Sequence, residues 1–497
     1  MDDCGKMKKS ASVLAHSLEL TTAHRFFTII VFLLLISFKH TENSAMPKHC
    51  LLLSLFTLLI FGAAMSIDAQ PGFVANFDED KIPEYTLPDP LKADDGTSVP
   101  PAQQLVTDAE TWRNSRRGEV LALFEREMYG KTPDAAQAVK GKLRSVVQSE
   151  KKNAFGGKAT RREVRILFSD TADEPYLDLL IYIPNKATGA VPAFLGLNFN
   201  GNHAVTDEPD VIVASSWFPH FSNGVETKPK PRGEEKSRWP IEMILDRGYA
   251  VATAFYGDID PDFDDGFQNG VHPLFYREGQ TRPDPDQWGS IGAWAWGLSR
   301  ALDYLETCDA IDAKRVAVIG HSRLGKTALW AGAQDERFAM VISNNSGSGG
   351  AAISRRAFGE TIGLTMTVRP QWFCGNFDKY EKNEGALPID QHELAALIAP
   401  RPIYIASAEK DPMADPKGEM LCAFNADAVY RLLGTDGIGD AAKKLIVTEK
   451  DGMIYDAASP PINEPIGGTI RYHIRTGEHD VTDYDWQQYL DFADKKL

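Results

Sequence analysis

An α/β fold, a three-layer sandwich with a mainly parallel central sheet, is predicted by three features of the sequence. From residue 245 onward, short β-branched apolar runs alternate with helix-length stretches, the sequence form of successive β-α units. Earlier, three strand-like runs at 162–168, 177–183 and 193–199 follow one another, divided by Gly, Asn, Asp and Pro clusters as hairpin strands are. Between them in importance stands 316–326, Val-Ala-Val-Ile-Gly-His-Ser-Arg-Leu-Gly-Lys. An apolar run climbs to Gly320, Ser322 follows two residues later, and a helix-like stretch begins at Thr327. That layout turns the chain sharply from strand to helix and lifts a serine hydroxyl above a sheet edge.

The elements follow in order. Residues 71–108, rich in Asp, Pro and Lys, read as an extended lead-in. Apolar residues at helical spacing over 111–129 end at Gly130, a C-cap signal. After the three strands, 206–238 is polar with several Pro and Lys, and reads as an insertion or long surface loop. A buried strand is expected at 249–255, then a loop at 258–265 with five aspartates. That loop lacks the Gly and terminal Glu of a calcium loop, so a solvated acidic turn is expected there. An aromatic-rich helix at 288–306 precedes the elbow strand and its helix. Strands are expected at 338–343, 402–406 and 444–447, helices at 420–432 and 484–493, and a strand-like stretch at 469–474. No repeat is visible, and 70–497 reads as one catalytic domain.

Composition is that of a globular protein: 43% hydrophobic and 25% charged over 497 residues, enough for an ordinary core. A net charge of -16 with no basic run argues against a nucleic-acid partner. Two apolar runs, 26–38 and 51–64, are each short for a membrane span. The second follows Met46-Pro-Lys-His and leads into small residues ending at Ala69, the form of a secretory signal. Residues 1–69 are therefore expected to be an upstream extension plus a signal peptide, with the start at Met46. A secreted or periplasmic address follows, without stable membrane insertion after cleavage. The competing reading makes 26–38 a membrane anchor. Cleavage leaves Cys308, Cys374 and Cys422, which permit one disulfide at most. No Cys/His spacing suits zinc, so a structural metal is not expected.

A serine attacks a carbonyl only when a base takes its proton and a carboxylate fixes that base's tautomer. In α/β-hydrolases these appear as Ser, acid, His, each just past a strand end. Ser322 is followed by Glu409-Lys-Asp411 beyond the strand at 402–406, and by His479 in a glycine-marked loop before the last helix. His473 competes with His479 but lies in the strand-like stretch. Asp411 competes with Glu409, with Asp415 and with any carboxylate near Asn345. For Ser322 itself, the alternative is an ordinary helix N-cap.

The run Gly320-His-Ser-Arg-Leu-Gly-Lys326 resembles the glucuronoyl esterases, carbohydrate esterase family 15. So do Asn345-Ser-Gly-Ser-Gly-Gly350, Asp390-Gln-His-Glu through Arg401-Pro402, Asp415-Pro-Lys-Gly-Glu419 and Arg475-Thr-Gly-Glu-His479. The resemblance covers about residues 75–497. It implies the α/β-hydrolase fold and cofactor-free cleavage of the ester between 4-O-methyl-glucuronic acid on xylan and lignin alcohols. It implies Ser322 as nucleophile, His479 as base, Arg323 at the oxyanion and Lys326 on the sugar hydroxyls. Some members carry the acid where Asn345 stands here; the other family placement matches Asp411. Met413 occupies a position where the family has a substrate-packing tryptophan, and His321 one where fungal members have a disulfide cysteine. Trp372 is either a sugar-stacking residue or core. Arg323 and Lys326 are expected to supply positive charge for an acidic sugar in an acidic protein. The expected partner is glucuronoxylan, met by a monomer. The rival readings are an acetyl xylan esterase, a non-catalytic carbohydrate-binding relative and a peptidase of the same fold.

Overall fold

Among the described residues ten strands form one sheet, antiparallel at one end and mainly parallel beyond it. The computed structural model describes residues 75–92, 105–139, 142–169, 175–215 and 229–497. The leader at 1–69, its start at Met46 and its apolar runs lie outside the described residues, as does 216–228 within the expected insertion. Strands β1 (Arg144–Asn153), β2 (Ala159–Leu167), β3 (Tyr176–Pro184) and β5 (Ala250–Phe255) pair antiparallel. From β5 the sheet continues parallel through β4 (Val191–Asn198), β6 (Ile311–His321), β7 (Met340–Asn344), β8 (Ile403–Ala408) and β12 (Ile470–Arg475). The two-residue β11 (Ile466–Gly467) closes that edge antiparallel.

The alternation of a strand puts its side chains on two faces, and both faces here are covered. Val316 and Val318 of β6 enter the larger core, whereas Ala317 and Ile319 enter the smaller one. The larger core holds residues of α1 (Arg117–Glu127), α2 (Ser290–Leu305), α3 (Arg323–Gln334), α4 (Gln391–Ile398) and α5 (Pro416–Leu432). The smaller is sealed by the short helix Ile241–Asp246 and by α6 (Asp483–Lys496), through Ile244, Trp486, Tyr489 and Leu490. This is the three-layer sandwich expected.

Three elements differ from the sequence expectation. The helix expected at 111–129 contains a π-helical turn, Trp112–Arg116, before α1. The widened turn keeps both Trp112 and Arg116 buried, and Arg116 Nε donates to Pro90 O at 3.0 Å. β1 has no apolar alternation to announce it; it is an edge strand, exposed along most of its length. The strand expected at 444–447 is β9 (Ile446–Lys450), which pairs only with β10 (Met453–Ala457) in a separate ribbon. Four of its five residues are exposed, so it has no buried face with which to join the main sheet. Among the described residues no helix is long and apolar enough to cross a membrane.

Candidate active site

The turn after β6 is strained where a nucleophile would sit. Ser322 has φ 56° and ψ −131°, a region that costs a non-glycine residue about 1–3 kcal/mol. Its amide is held by Asn344 O at 2.9 Å. Gly320 is required here: a Cβ on it would lie 1.8 Å from Leu324 O. The displaced second glycine has its own reason, since a Cβ on Gly325 would meet Ser346 Cβ at 3.0 Å and Gly320 O at 3.2 Å. The off-pattern spacing thus matches the place where α3 passes closest to the loop after β7.

His479 and Asp411 are brought together by neighbouring loops. The loops after β8 and β12 are zipped by Glu409 N to Arg475 O, 2.9 Å, and Lys410 N to Gly477 O, 3.0 Å. Across them His479 Nδ1 lies 2.5 Å from Asp411 Oδ2. Burial alone would raise the Asp411 pKa, but the His479 contact, together with donors from Asn345 and Ala414, holds it below the ordinary carboxylate value. Asn345 Nδ2 donates to the same Oδ2 at 2.9 Å, so the residue at the alternative acid position braces the acid. The His479 ring stands 4.5 Å, centroid to centroid, from His321, the neighbour of Ser322. Among the described residues no hydrogen bond joins the Ser322 hydroxyl to His479. Burial, and then the charge of His479, push the His321 pKa well below the ordinary value, so His321 stays neutral beside a base that must accept a proton.

The rivals have other work. His473 is a core residue between Tyr404 Oη at 2.8 Å and Asp485 Oδ1 at 3.0 Å. Asp415 pairs with Arg356 at 2.7 Å and caps α5. Glu409 Oε1 accepts from Gly477 N at 3.4 Å.

Arg323 opens α3, with its guanidinium carbon 4.9 Å from the Phe199 ring centroid and 5.6 Å from those of Tyr256 and Trp372. Its Nε lies 2.7 Å from Asp262 Oδ2. The acidic turn is solvated only in part: Asp258, Asp260 and Asp262 are buried, whereas Asp264 is exposed and Asp265 half-buried. The Lys326 ammonium is buried too, donating to Ser346 O at 2.8 Å, Ser348 O at 2.5 Å and Glu360 Oε2 at 2.6 Å. Each cation expected to bring net positive charge thus has a carboxylate against it. Trp372 is 6% exposed, and its indole N–H donates to Asp262 Oδ1 at 2.6 Å. It is core, faced by Arg323 and Lys326, rather than an open stacking platform. Met413 is 36% exposed, on the turn that carries Asp411. Cys308, Cys374 and Cys422 are each buried and unpaired.

Sequence reasoning missed the supports. Arg475, at the end of β12, donates to the carbonyls of Thr476 and Glu478 at 3.0 Å and of Asp480 at 2.5 Å, gripping the loop on both sides of His479. Asp485 on α6 holds Arg475 Nε at 2.7 Å and accepts from Asn344 Nδ2 at 3.3 Å. Asn344 Oδ1 in turn meets His321 Nδ1 at 2.7 Å. One buried carboxylate thereby links the elbow to the histidine loop. Charged residues in Arg475-Thr-Gly-Glu-His479 were the available signal, but nothing in the spacing said that Arg475 points inward.

Glu419 braces the Asn345 loop from within α5, accepting from Ser346 N at 2.7 Å, Gly347 N at 3.1 Å and Ser407 Oγ at 2.6 Å. Burial raises its pKa from 4.5 to about 8. A carboxyl whose folded pKa is raised contributes stability that is fully present below 4.5 and is lost as pH rises through about 8. Glu419→Gln is expected to flatten the fall in melting temperature between pH 5 and 8.5, a window of about that span. The decline would persist in part, because burial also raises Glu393, to about 7. An unchanged slope in thermal melts across that window would overturn the assignment.

Comparison with known proteins gives four likenesses. A family profile described as "Glucuronyl esterase, fungi" matches residues 275–434. The carbohydrate esterase MZ0003, from an unknown prokaryotic organism, is 48% identical over 459 residues, covering 91% of this chain and 99% of that protein. Among solved structures, the glucuronoyl esterase from Solibacter usitatus superposes with TM-score 0.75 at 48% identity, over 84% of this chain and 100% of the other. A CE15 esterase from a marine bacterial metagenome, described as promiscuous, gives TM-score 0.73 at 47% identity, over 85% and 100%.

Proposed function

The chain belongs to the glucuronoyl esterases of carbohydrate esterase family 15, and we propose that it hydrolyses esters of glucuronic or 4-O-methyl-glucuronic acid, as on glucuronoxylan, through an acyl-enzyme. The observation that carries this reading is the Asp411–His479 contact set beside the strained Ser322 elbow, with the Arg323 guanidinium on the same turn. Ser322 Oγ attacks the ester carbonyl while His479 Nε2 takes its proton. Asp411 keeps the proton on Nδ1 and stabilises the imidazolium. Arg323, with backbone N–H groups, faces the oxyanion; losing one such donor typically costs about 2.7–4 kcal/mol of barrier. His479 returns the proton to the departing alcohol, and water then releases the acid by the same steps in reverse.

Glu360, whose side chain is 20% exposed, offers an acceptor to the sugar hydroxyls, while Lys326, its three N–H groups on Ser346 O, Ser348 O and Glu360, acts on the sugar through that carboxylate. Met413, on the acid's own turn, offers apolar surface at the rim. Export to the medium or periplasm, where the polymer is found, and a monomeric working state belong to the same reading; the leader at 1–69 fits that address.

Benzyl glucuronate and acetylated xylan, offered to the same preparation, test the substrate class. Release of benzyl alcohol in clear excess over acetate is expected. Acetate release without uronate ester cleavage would make the protein an acetyl xylan esterase, and turnover of neither would leave only the carbohydrate-binding reading.

A further inference from the structure

The acidic turn after β5 has a use that its sequence hid. Asp262 is 3% exposed and accepts from three groups, Tyr256 Oη at 3.0 Å, Gln371 Nε2 at 3.0 Å and Trp372 Nε1 at 2.6 Å, while Arg323 Nε forms an ion pair with it at 2.7 Å. Burial keeps the Tyr256 phenol protonated, its pKa well above the ordinary value, so its hydroxyl remains a donor. The turn is itself anchored one residue pair earlier. Asp260 holds His272 Nδ1 at 2.8 Å and Ser290 Oγ at 2.5 Å, and its carbonyl accepts from Trp294 at 2.9 Å. A carboxylate so fully bonded cannot swing away, and it fixes the guanidinium it touches.

We propose that Asp262 is a positioning and specificity residue, the counter-charge that aims Arg323 at the oxyanion while preventing the site from retaining the uronate product. This rests on the esterase reading above. Hydrolysis adds water across the acyl bond; the acid formed loses its proton at neutral pH. The neutral ester therefore leaves the site as an anion, with its carboxylate oxygens where the carbonyl stood. Beside a lone buried guanidinium that anion would be held strongly, because charge attraction grows as water is excluded. A second guanidinium, Arg369, is close enough for its pKa to respond to Asp262 and to Arg323, although burial is the larger influence on it. Asp262 cancels one positive charge. The Arg323–Asp262 pair still offers an oriented dipole to the transient oxyanion, but little net attraction to a full carboxylate.

The test uses competitive inhibition of benzyl glucuronate hydrolysis by sodium glucuronate and by neutral glucuronamide. In the wild type the amide is expected to inhibit more strongly than the carboxylate. In Asp262→Asn the order should reverse, with glucuronate inhibition tightening about tenfold or more while kcat falls and KM for the neutral ester moves little. Asp262→Glu, which keeps the charge but shifts it, should lower kcat without tightening glucuronate. Wild-type enzyme that binds glucuronate more tightly than glucuronamide overturns the proposal even if Asp262→Asn does not fold. So does a folded Asp262→Asn with reduced kcat and unchanged glucuronate inhibition, which would make Asp262 a scaffold only. Arg323→Met separates the two layers: if it leaves kcat intact, the oxyanion reading fails, not merely the role of its partner.

Discussion

Replacement of Ser322 by alanine is expected to abolish turnover of benzyl glucuronate, lowering kcat by about 10⁶-fold, the order found when a triad nucleophile is removed. Residual activity would come from binding and the oxyanion donors alone. The elbow geometry adds a second readout that a bystander serine would not give. With φ 56° and ψ −131°, Ser322 pays for its placement in backbone strain. Alanine keeps that strain, whereas glycine relieves about 1–3 kcal/mol of it against an entropic cost of about 0.5–1 kcal/mol. Ser322→Gly should therefore melt above Ser322→Ala, with both inactive. Retention of esterase activity in either variant would remove Ser322 from the mechanism.

Asp411→Asn should cost about 10⁴-fold in kcat, through the tautomer rather than the fold. The carboxylate can only accept, so it fixes the His479 proton on Nδ1; an amide can present its own N–H and turn the ring's lone pair away from the serine. Moving the acid should not repair this. Residue 345 reaches the Asp411 oxygen at 2.9 Å, not the histidine, so Asn345→Asp in the Asp411→Asn background is expected to restore little. Stopped assays with benzyl glucuronate decide it: a loss under about tenfold, or full recovery in the double variant, would place the acid elsewhere.

What the sequence made legible, and what it hid, follows from range. The parallel strands and α2, α3 and α5 announce themselves because burial of their faces imposes periodicity over neighbouring residues. The elbow is likewise local: Gly320, Ser322 and Gly325 are required by contacts within a few residues or with one adjacent loop. Asp411 and His479 lie 68 residues apart, and in the sequence they are related by their positions past strand ends and by the family resemblance. The supports were invisible for the same reason carried further. Asp262 meets Trp372 across 110 residues, and Asn344 meets Asp485 across 141. A buried carboxylate and a solvated one have the same letter. The acidic turn therefore looked like surface, Lys326 looked like an uncompensated charge, and Trp372 looked as much like a sugar platform as like core. β1 escaped for the opposite reason, since an exposed edge strand needs no pattern at all.

The position of Asp485 sets when this polypeptide becomes an enzyme. Chains are made and begin to fold from the N-terminus, so the Ser322 turn exists well before α6. Until α6 docks, Arg475 lacks its buried counter-ion, and the grip on the carbonyls around His479 has no anchor. A product terminated before Asp485 would carry the nucleophile without the buried anchor of the loop that presents the base. Hydrolytic competence is thereby tied to finishing the molecule, through a residue that meets no substrate.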